Sequence, residues 1–171
     1  MAGWLGISSA HYDSHCGDND AQTVEEALDG TDYWQHAVNE THWVILNLGA
    51  TYNITKVRGR SLFSYDPTNV NIYVSTDRVT WGTAVATGIS TWQDRDDWDG
   101  TAIIDTTPKE GRYIKVEIID TEDANHTLQF GHSGPGFLKI FDVYGSSSGS
   151  GALKALTSGL MGSCLLDGGL V

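Results

Sequence analysis

Four segments of the chain alternate hydrophobic and polar residues with a period of two. The hydrophobic positions are Val44, Leu46 and Leu48; Val70, Ile72 and Val74; Ile114, Val116 and Ile118; and Ile140 or Phe141 with Val143. Because successive side chains of a β-strand point to opposite faces, this period predicts half-buried strands, whereas helices repeat every three or four residues. Turn-forming residues separate the segments, so the spacing predicts an all-β protein with about eight short strands in a β-sandwich.

The composition changes near the C-terminus. Residues 1–145 carry the strand pattern and form one predicted domain, whereas residues 146–151 contain only Ser and Gly, which is typical of a flexible linker. Residues 152–171 form a short tail with Leu153, Leu156 and Leu160 at helical spacing. Because so short a helix is unstable alone, we expect a docking tail that folds against a neighbouring copy or another subunit of an assembly. A loose C-terminus is the alternative that the sequence leaves open.

The charge of the chain excludes several partners. Its 171 residues include 22 acidic and 10 basic side chains, which gives a net charge of -12. That balance argues against binding to nucleic acid and to anionic membranes, since both require basic surfaces. No apolar stretch of about 18 residues is present, so we expect no transmembrane helix. The first ten residues contain no Lys or Arg and no long apolar run, so we expect no signal peptide in this chain.

Motifs for catalysis are absent from the sequence. No glycine-rich phosphate loop or HExxH motif occurs, and the acidic run at residues 94–99 lacks a pocket that would separate the pKa values of its carboxylates. We therefore expect no enzymatic activity. Cys16 and Cys164 form no metal-binding spacing, and free thiols are favoured over a disulfide between them.

Several segments resemble the discoidin family, also called the coagulation-factor 5/8 type C domain, which includes a carbohydrate-binding branch. In order along the chain, the similar segments are residues 27–34 (ALDGTDYW), 43–49 (WVILNLG), 52–58 (YNITKVR), 70–75 (VNIYVS), 111–116 (GRYIKV) and 142–145 (DVYG). Each segment alone is a weak signal, but all of them occur in the order and spacing of the family. The resemblance covers about residues 20–145 and implies a jelly-roll β-sandwich of antiparallel strands whose ends lie close together.

The resemblance also implies a structural metal ion. Members of this family often bind one Ca²⁺ beside the loop that contains the DG dipeptide, and the matching positions here are Asp29 and Asp32. The family commonly supplies a Glu five residues before the closing Gly, where this chain has Ile140. Calcium requires six to eight oxygen ligands, so two interpretations stay open. Asp29 and Asp32 either hold Ca²⁺ or are ordinary turn residues.

The same resemblance implies a site for sugars. Galactose-type binders of the family use a His after the DG loop, an Arg after the second strand and an aromatic residue before the final strand. The positions that match these roles are His36, Arg60 and Phe130, and the loops beside them add Tyr65 and His132. Each side chain also has an ordinary structural interpretation; Arg60, for example, could pair with a neighbouring carboxylate in so acidic a chain.

The predicted function is therefore a non-catalytic module that binds a cell-surface glycan. The acidity, the docking tail and the absence of a leader segment favour a component of a larger extracellular or virion assembly, such as a tail-fibre, decoration or receptor-binding protein. The alternative is a purely structural, self-assembling protein of a capsid, tail or filament that binds no sugar.

Overall fold

A single strand of 20 residues organises the fold. The computed structural model describes residues 1–12, 33–36, 41–61, 67–90, 93–94, 104–122, 128–131 and 141–148. Within these ranges there are ten strands and no helix. Their bounds are β1 (Ala2–Leu5), β2 (Ser9–Tyr12), β3 (Tyr33–His36), β4 (His42–Ser61), β5 (Pro67–Ser75), β6 (Ala86–Ile89), β7 (Gln93–Asp94), β8 (Ile104–Thr121), β9 (Leu128–Gly131) and β10 (Phe141–Ser147). The prediction of an all-β protein is confirmed.

The main sheet is antiparallel, with the strand order β1-β10-β4-β8-β5-β6. Strand β8 pairs with β4 along one edge from His42 to Val57. On the other edge, β2 pairs with residues 44–47 of β4 and β10 pairs with residues 52–59. Strand β4 therefore holds three neighbours of the main sheet in register, with pairing along both of its edges.

A bulge interrupts β4 after Asn47. Asn47 pairs with Tyr113 and Tyr52 pairs with Gly111, so four residues of β4 oppose one residue of β8. Gly49 takes a positive φ of 78°, a conformation that residues with a Cβ rarely adopt. The amide oxygen of Asn47 accepts a hydrogen bond of 2.9 Å from the Gly49 backbone N–H, and its NH₂ group donates to the Ser9 hydroxyl at 3.1 Å. A side-chain amide thus closes the bulge.

The hydrophobic core lies on one face of this sheet. The predicted inward residues of β4, β5 and β8 are all at most 5% exposed, and Val143 of β10 is fully buried. The rest of the core cluster consists of Ile54, Val57, Val85 and Ile104. The alternation read from the sequence is therefore confirmed for the segments in β4, β5 and β8 and for Val143 of the fourth segment, whereas Ile140 and the side chain of Phe141 lie outside the described residues.

Strand β4 continues into a second, smaller sheet. Strand β9 pairs antiparallel with β3 and, through Phe130, with Ser61 at the end of β4. The two residues of β7 pair parallel with Arg60 and Ser61. This sheet therefore has the order β3-β9-β4-β7. The short strands β7 and β9 were not predicted from the sequence, because they are too short to show a period.

The N-terminal strand β1 lies beside the closing strand β10, with Trp4 opposite Tyr144. Strand β10 extends to Ser147, two residues into the predicted linker, and the Ser148 hydroxyl donates to the Thr51 carbonyl at 3.1 Å. The tail at residues 152–171 and both cysteines lie outside the described residues. In the described ranges, no helix is long and apolar enough to cross a bilayer.

Candidate functional site

The second sheet brings three segments of the predicted sugar site together. His36 is the last residue of β3 and pairs with Leu128, and Phe130 lies two positions further along β9. Phe130 pairs with Ser61, the residue that follows Arg60. His36, Phe130 and Arg60 therefore lie on three adjacent strands, although they are far apart in sequence. Neighbouring strands of a sheet are about 4.8 Å apart.

The other predicted site residues lie outside the described residues. These are Tyr65 and His132 of the sugar site and Asp29 and Asp32 of the calcium site. Within the described ranges, no group of three or more His, Cys, Asp or Glu side chains is placed to hold a metal ion. Calcium binding at Asp29 and Asp32 therefore stays a prediction.

A group of charged and aromatic side chains covers the outward face of β1, β10 and β4. The Arg58 guanidinium donates two hydrogen bonds to one carboxylate oxygen of Asp142, at 3.2 Å from Nε and 2.9 Å from Nη2. It also lies 4.1 Å from the centre of the Trp4 ring, which meets the Tyr144 ring edge-on at 5.3 Å. Both charged side chains are at most 20% exposed, which strengthens their attraction compared with a surface pair. Arg58 therefore joins three strands.

Sequence reasoning missed this group as a unit. Arg58 appears there only within the segment 52–58, and Asp142 and Tyr144 only within the closing segment 142–145. The signal was the register, since Asp142 is directly opposite Arg58, and Tyr144 is directly opposite Trp4. Such pairs become visible only when the strand order is known.

A third polar group lies on the outward face of β5 and β8. The Glu117 carboxylate accepts hydrogen bonds from Lys115 Nζ at 2.6 Å and from the Tyr73 hydroxyl at 3.2 Å. Burial raises the pKa of Glu117, but the Lys115 ammonium and these hydrogen bonds outweigh it, so the pKa of that carboxyl lies below its usual range. Burial and then the Glu117 charge raise the pKa of Tyr73. Glu117 is therefore an ionised structural acceptor and a poor candidate for a general acid.

Comparison with known proteins identifies the family. Residues 8–132 match the family described as the F5/8 type C domain. The chain belongs to the F5/8 type C domain family. No curated protein matches this F5/8 type C domain.

Solved structures show which fold the domain shares. It is similar to truncated AlyQ with CBM32 and alginate lyase domains, with a TM-score of 0.62, 15% identity and 86% of this chain covered. The chain spans only 34% of the length of that structure. It is also similar to the CBM32 of AlyQ in complex with 4,5-unsaturated mannuronic acid, with a TM-score of 0.58, 13% identity, 82% of this chain covered and 96% of that one.

A chitosan-binding module gives the same result. Module 2 of the chitosanase/glucanase from Paenibacillus sp. IK-5, in complex with chitotriose, matches with a TM-score of 0.58, 21% identity, 82% of this chain covered and 98% of that one. These likenesses confirm the predicted jelly-roll β-sandwich.

The turn after β5 holds a non-glycine residue of this domain in an unusual backbone conformation. Arg78 has a φ of 66°, in the left-handed region. The Asp77 carboxylate accepts hydrogen bonds of 2.8 Å from the backbone N–H groups of Val79 and Thr80 and from the Ser75 hydroxyl. The Ser75 hydroxyl in turn accepts one from the Arg78 N–H at 3.2 Å. The turn therefore fixes Arg78 through its neighbours.

We expect this turn to make the stability of the domain depend on pH. The N–H groups of Thr80 and Val79 and the Ser75 hydroxyl hold the pKa of Asp77 well below its usual range. A carboxyl with a lowered pKa stabilises the fold above its unfolded pKa of about 3.9, and this contribution is lost as the pH falls towards the folded value.

Chemical unfolding of the wild type and of Asp77→Ala between pH 7 and pH 2.5 tests this expectation. The difference in free energy of unfolding should be constant above about pH 5 and shrink below about pH 4. A difference that does not change with pH would show that the Asp77 charge contributes nothing to the turn.

Proposed function

We propose that the protein is a non-catalytic glycan-binding module. Its sugar site lies where β3, β9 and the end of β4 meet, and the predicted ligand-binding residues there are His36, Arg60, Tyr65, Phe130 and His132. The observation that carries this proposal is the strand register, which brings His36, Arg60 and Phe130 onto three adjacent strands of one small sheet.

The family supports a saccharide as the ligand. One similar module is in complex with 4,5-unsaturated mannuronic acid and another with chitotriose. An acidic sugar and an oligosaccharide of amino sugars therefore both bind to relatives with this fold. Planar polar groups such as guanidinium and imidazole can bind pairs of sugar hydroxyls, and an aromatic ring can cover an apolar face.

The absence of catalysis is part of the proposal. A similar chain carries a CBM32 together with an alginate lyase domain, so catalysis there has a domain of its own. In the described part of this chain, the hydrogen-bonded carboxylates of Asp77 and Glu117 have lowered pKa values and are suited to be acceptors. A general acid needs the opposite shift.

Three finer features complete the proposal. Asp29 and Asp32 bind one structural Ca²⁺, residues 152–171 join copies of the chain or other subunits, and the module works at an extracellular or virion surface. Light scattering of the full chain measures whether it assembles. The same measurement with calcium and with a chelator shows whether assembly depends on the ion.

Replacing Arg60 tests the site directly. If the Arg60 guanidinium donates to sugar hydroxyls, Arg60→Ala should weaken binding to the best glycan of an array by about tenfold to a hundredfold. Lys56→Ala is the matched control, because it removes the same charge from the same strand and leaves only the exposed Asp105 without its partner. Circular dichroism of both variants should match the wild type.

Two results would contradict the proposal. Equal binding by Arg60→Ala and Lys56→Ala would place the sugar elsewhere. An array on which the wild type binds nothing would favour the structural, self-assembling alternative.

A further inference from the structure

A small polar pocket opens on the outward face of the main sheet, away from the second sheet. Its polar lining comes from three strands and the turn after β5: Ser9, His11, Asn47, Arg78 and Tyr113. Ala10 and Ile45 form the rest of the lining, and the volume is about 80 Å³. Thirteen residues of β4 lie between Asn47 and Ser61, so this pocket is distinct from the sugar site of the proposed function.

The charge of this pocket is opposite to that of the chain. None of the described residues that line it is acidic. Within the described part of the chain, the Arg78 guanidinium has no hydrogen bond or ion pair, whereas Arg112 donates to the Asn47 amide oxygen at 2.9 Å. Lys115 lies opposite Ile45 on the neighbouring strand and forms an ion pair with Glu117. Of these three basic side chains, Arg78 is the one that lines the pocket, in a chain of net charge -12.

The neighbouring acids are not paired with the Arg78 guanidinium. The Asp77 carboxylate is occupied by donors of its own turn, and Glu117 is paired with Lys115. Arg78 is held in the left-handed region at the rim of the pocket. A non-glycine residue in that conformation persists only where its surroundings fix it, which is common at ligand sites.

Hydrogen-bond donors in the pocket are available to a ligand. Ser9 accepts from the Asn47 amide, which leaves the hydroxyl hydrogen of Ser9 able to donate. Arg78 presents a planar fork that matches the two oxygens of an anionic group. The volume of about 80 Å³ suits a carboxylate or a sulfate but is too small for a whole sugar, because sites for larger ligands have about 300 Å³ or more.

Aromatic rings at the pocket favour a saccharide as the carrier of that group. Tyr113 lines the pocket, and His11 packs against Trp43 with ring centres 5.5 Å apart. His11 is exposed and Trp43 is half-buried, so flat surface continues from the pocket along the sheet. A sugar ring whose anionic substituent enters the pocket would lie across this surface.

We propose that this pocket is a second binding site, which takes the carboxylate or sulfate of an acidic saccharide. The sugar part of this inference rests on the proposed function, whereas the anionic part rests on Arg78 and its surroundings. This second site would select charged glycans. The sugar site at the second sheet would then not need to distinguish charged from neutral sugars.

NMR titration of the full chain, ¹⁵N-labelled, tests this site. Galacturonate is the probe, galactose is its neutral counterpart, and acetate supplies the carboxylate without the sugar. Galacturonate should shift the amides of His11, Asn47, Arg78 and Tyr113, whereas galactose should not. Galactose 6-sulfate used in the same way identifies whether the anionic group is a sulfate; shifts of these amides by either charged sugar support the site.

Arg78→Ala should weaken the binding of galacturonate by about tenfold, and Lys56→Ala, with the same loss of charge, should leave it unchanged. Equal effects of the two variants, equal binding of galacturonate and acetate, or shifts confined to β3 and β9 would overturn the inference. A glycan array that stays positive in that case would leave the proposed function intact.

Discussion

Replacing Gly111 with alanine should destabilise the domain by about 3 kcal/mol, a large part of the stability of a domain of this size. A Cβ atom at this position would lie 2.2 Å from Val74 Cγ1 and 2.8 Å from the backbone oxygen of Ser75. The Val74 side chain is fully buried and the Ser75 oxygen belongs to the neighbouring strand, so neither can move without disturbing the pairing of β5 and β8. Urea unfolding followed by tryptophan fluorescence measures the effect.

Gly3→Ala is the matched control, because no atom lies within 4 Å of a Cβ at that position and its φ is ordinary. Its free energy of unfolding should stay within about 0.5 kcal/mol of the wild type. Unfolding of both variants at the same urea concentration would contradict the close approach of β5 and β8 at Gly111.

Truncating Ile114 should have a similar effect by a different mechanism. Ile114 lies in the centre of β8 and is fully buried among core residues from four strands. Ile114→Ala removes buried surface and leaves a cavity, which costs about 2–5 kcal/mol in well-packed cores. The cost is larger where the surroundings cannot collapse into the cavity. Because β8 is held between strands on both sides, we expect a value near the upper end of this range.

Ile119→Ala on the same strand is the control. Ile119 is 39% exposed, so its truncation should cost less than about 1 kcal/mol. Comparable losses for the two variants would contradict the assignment of the inward and outward faces of β8, and with it the register of the main sheet.

The inward residues of the main sheet were predictable because a period of two is a local property. Val44, Leu46 and Leu48 reveal their common face without any knowledge of their neighbours, and each is buried. The ordered motifs of the F5/8 type C family supplied the topology that periodicity cannot supply. Periodicity also cannot place a bulge, and the insertion after Asn47 depends on an amide that reaches across to Ser9 and Gly49.

The outward clusters were not predictable, since their members meet only through the strand order. The pocket that we assign to an acidic saccharide joins Ser9, Asn47, Arg78 and Tyr113 from distant parts of the chain. Nothing in the sequence around Arg78 indicates a positive φ, because the residue is not a glycine or an asparagine. Only the resemblance to the family indicated that His36, Arg60 and Phe130 belong to one site. Their roles in sugar binding remain predictions.

A crystal structure of the full chain with the best-binding neutral array glycan tests the central claim most directly. We expect the sugar to lie against β3, β9 and the end of β4, in hydrogen-bond contact with the Arg60 guanidinium. A sugar bound only at another surface, with the end of β4 empty, would contradict it.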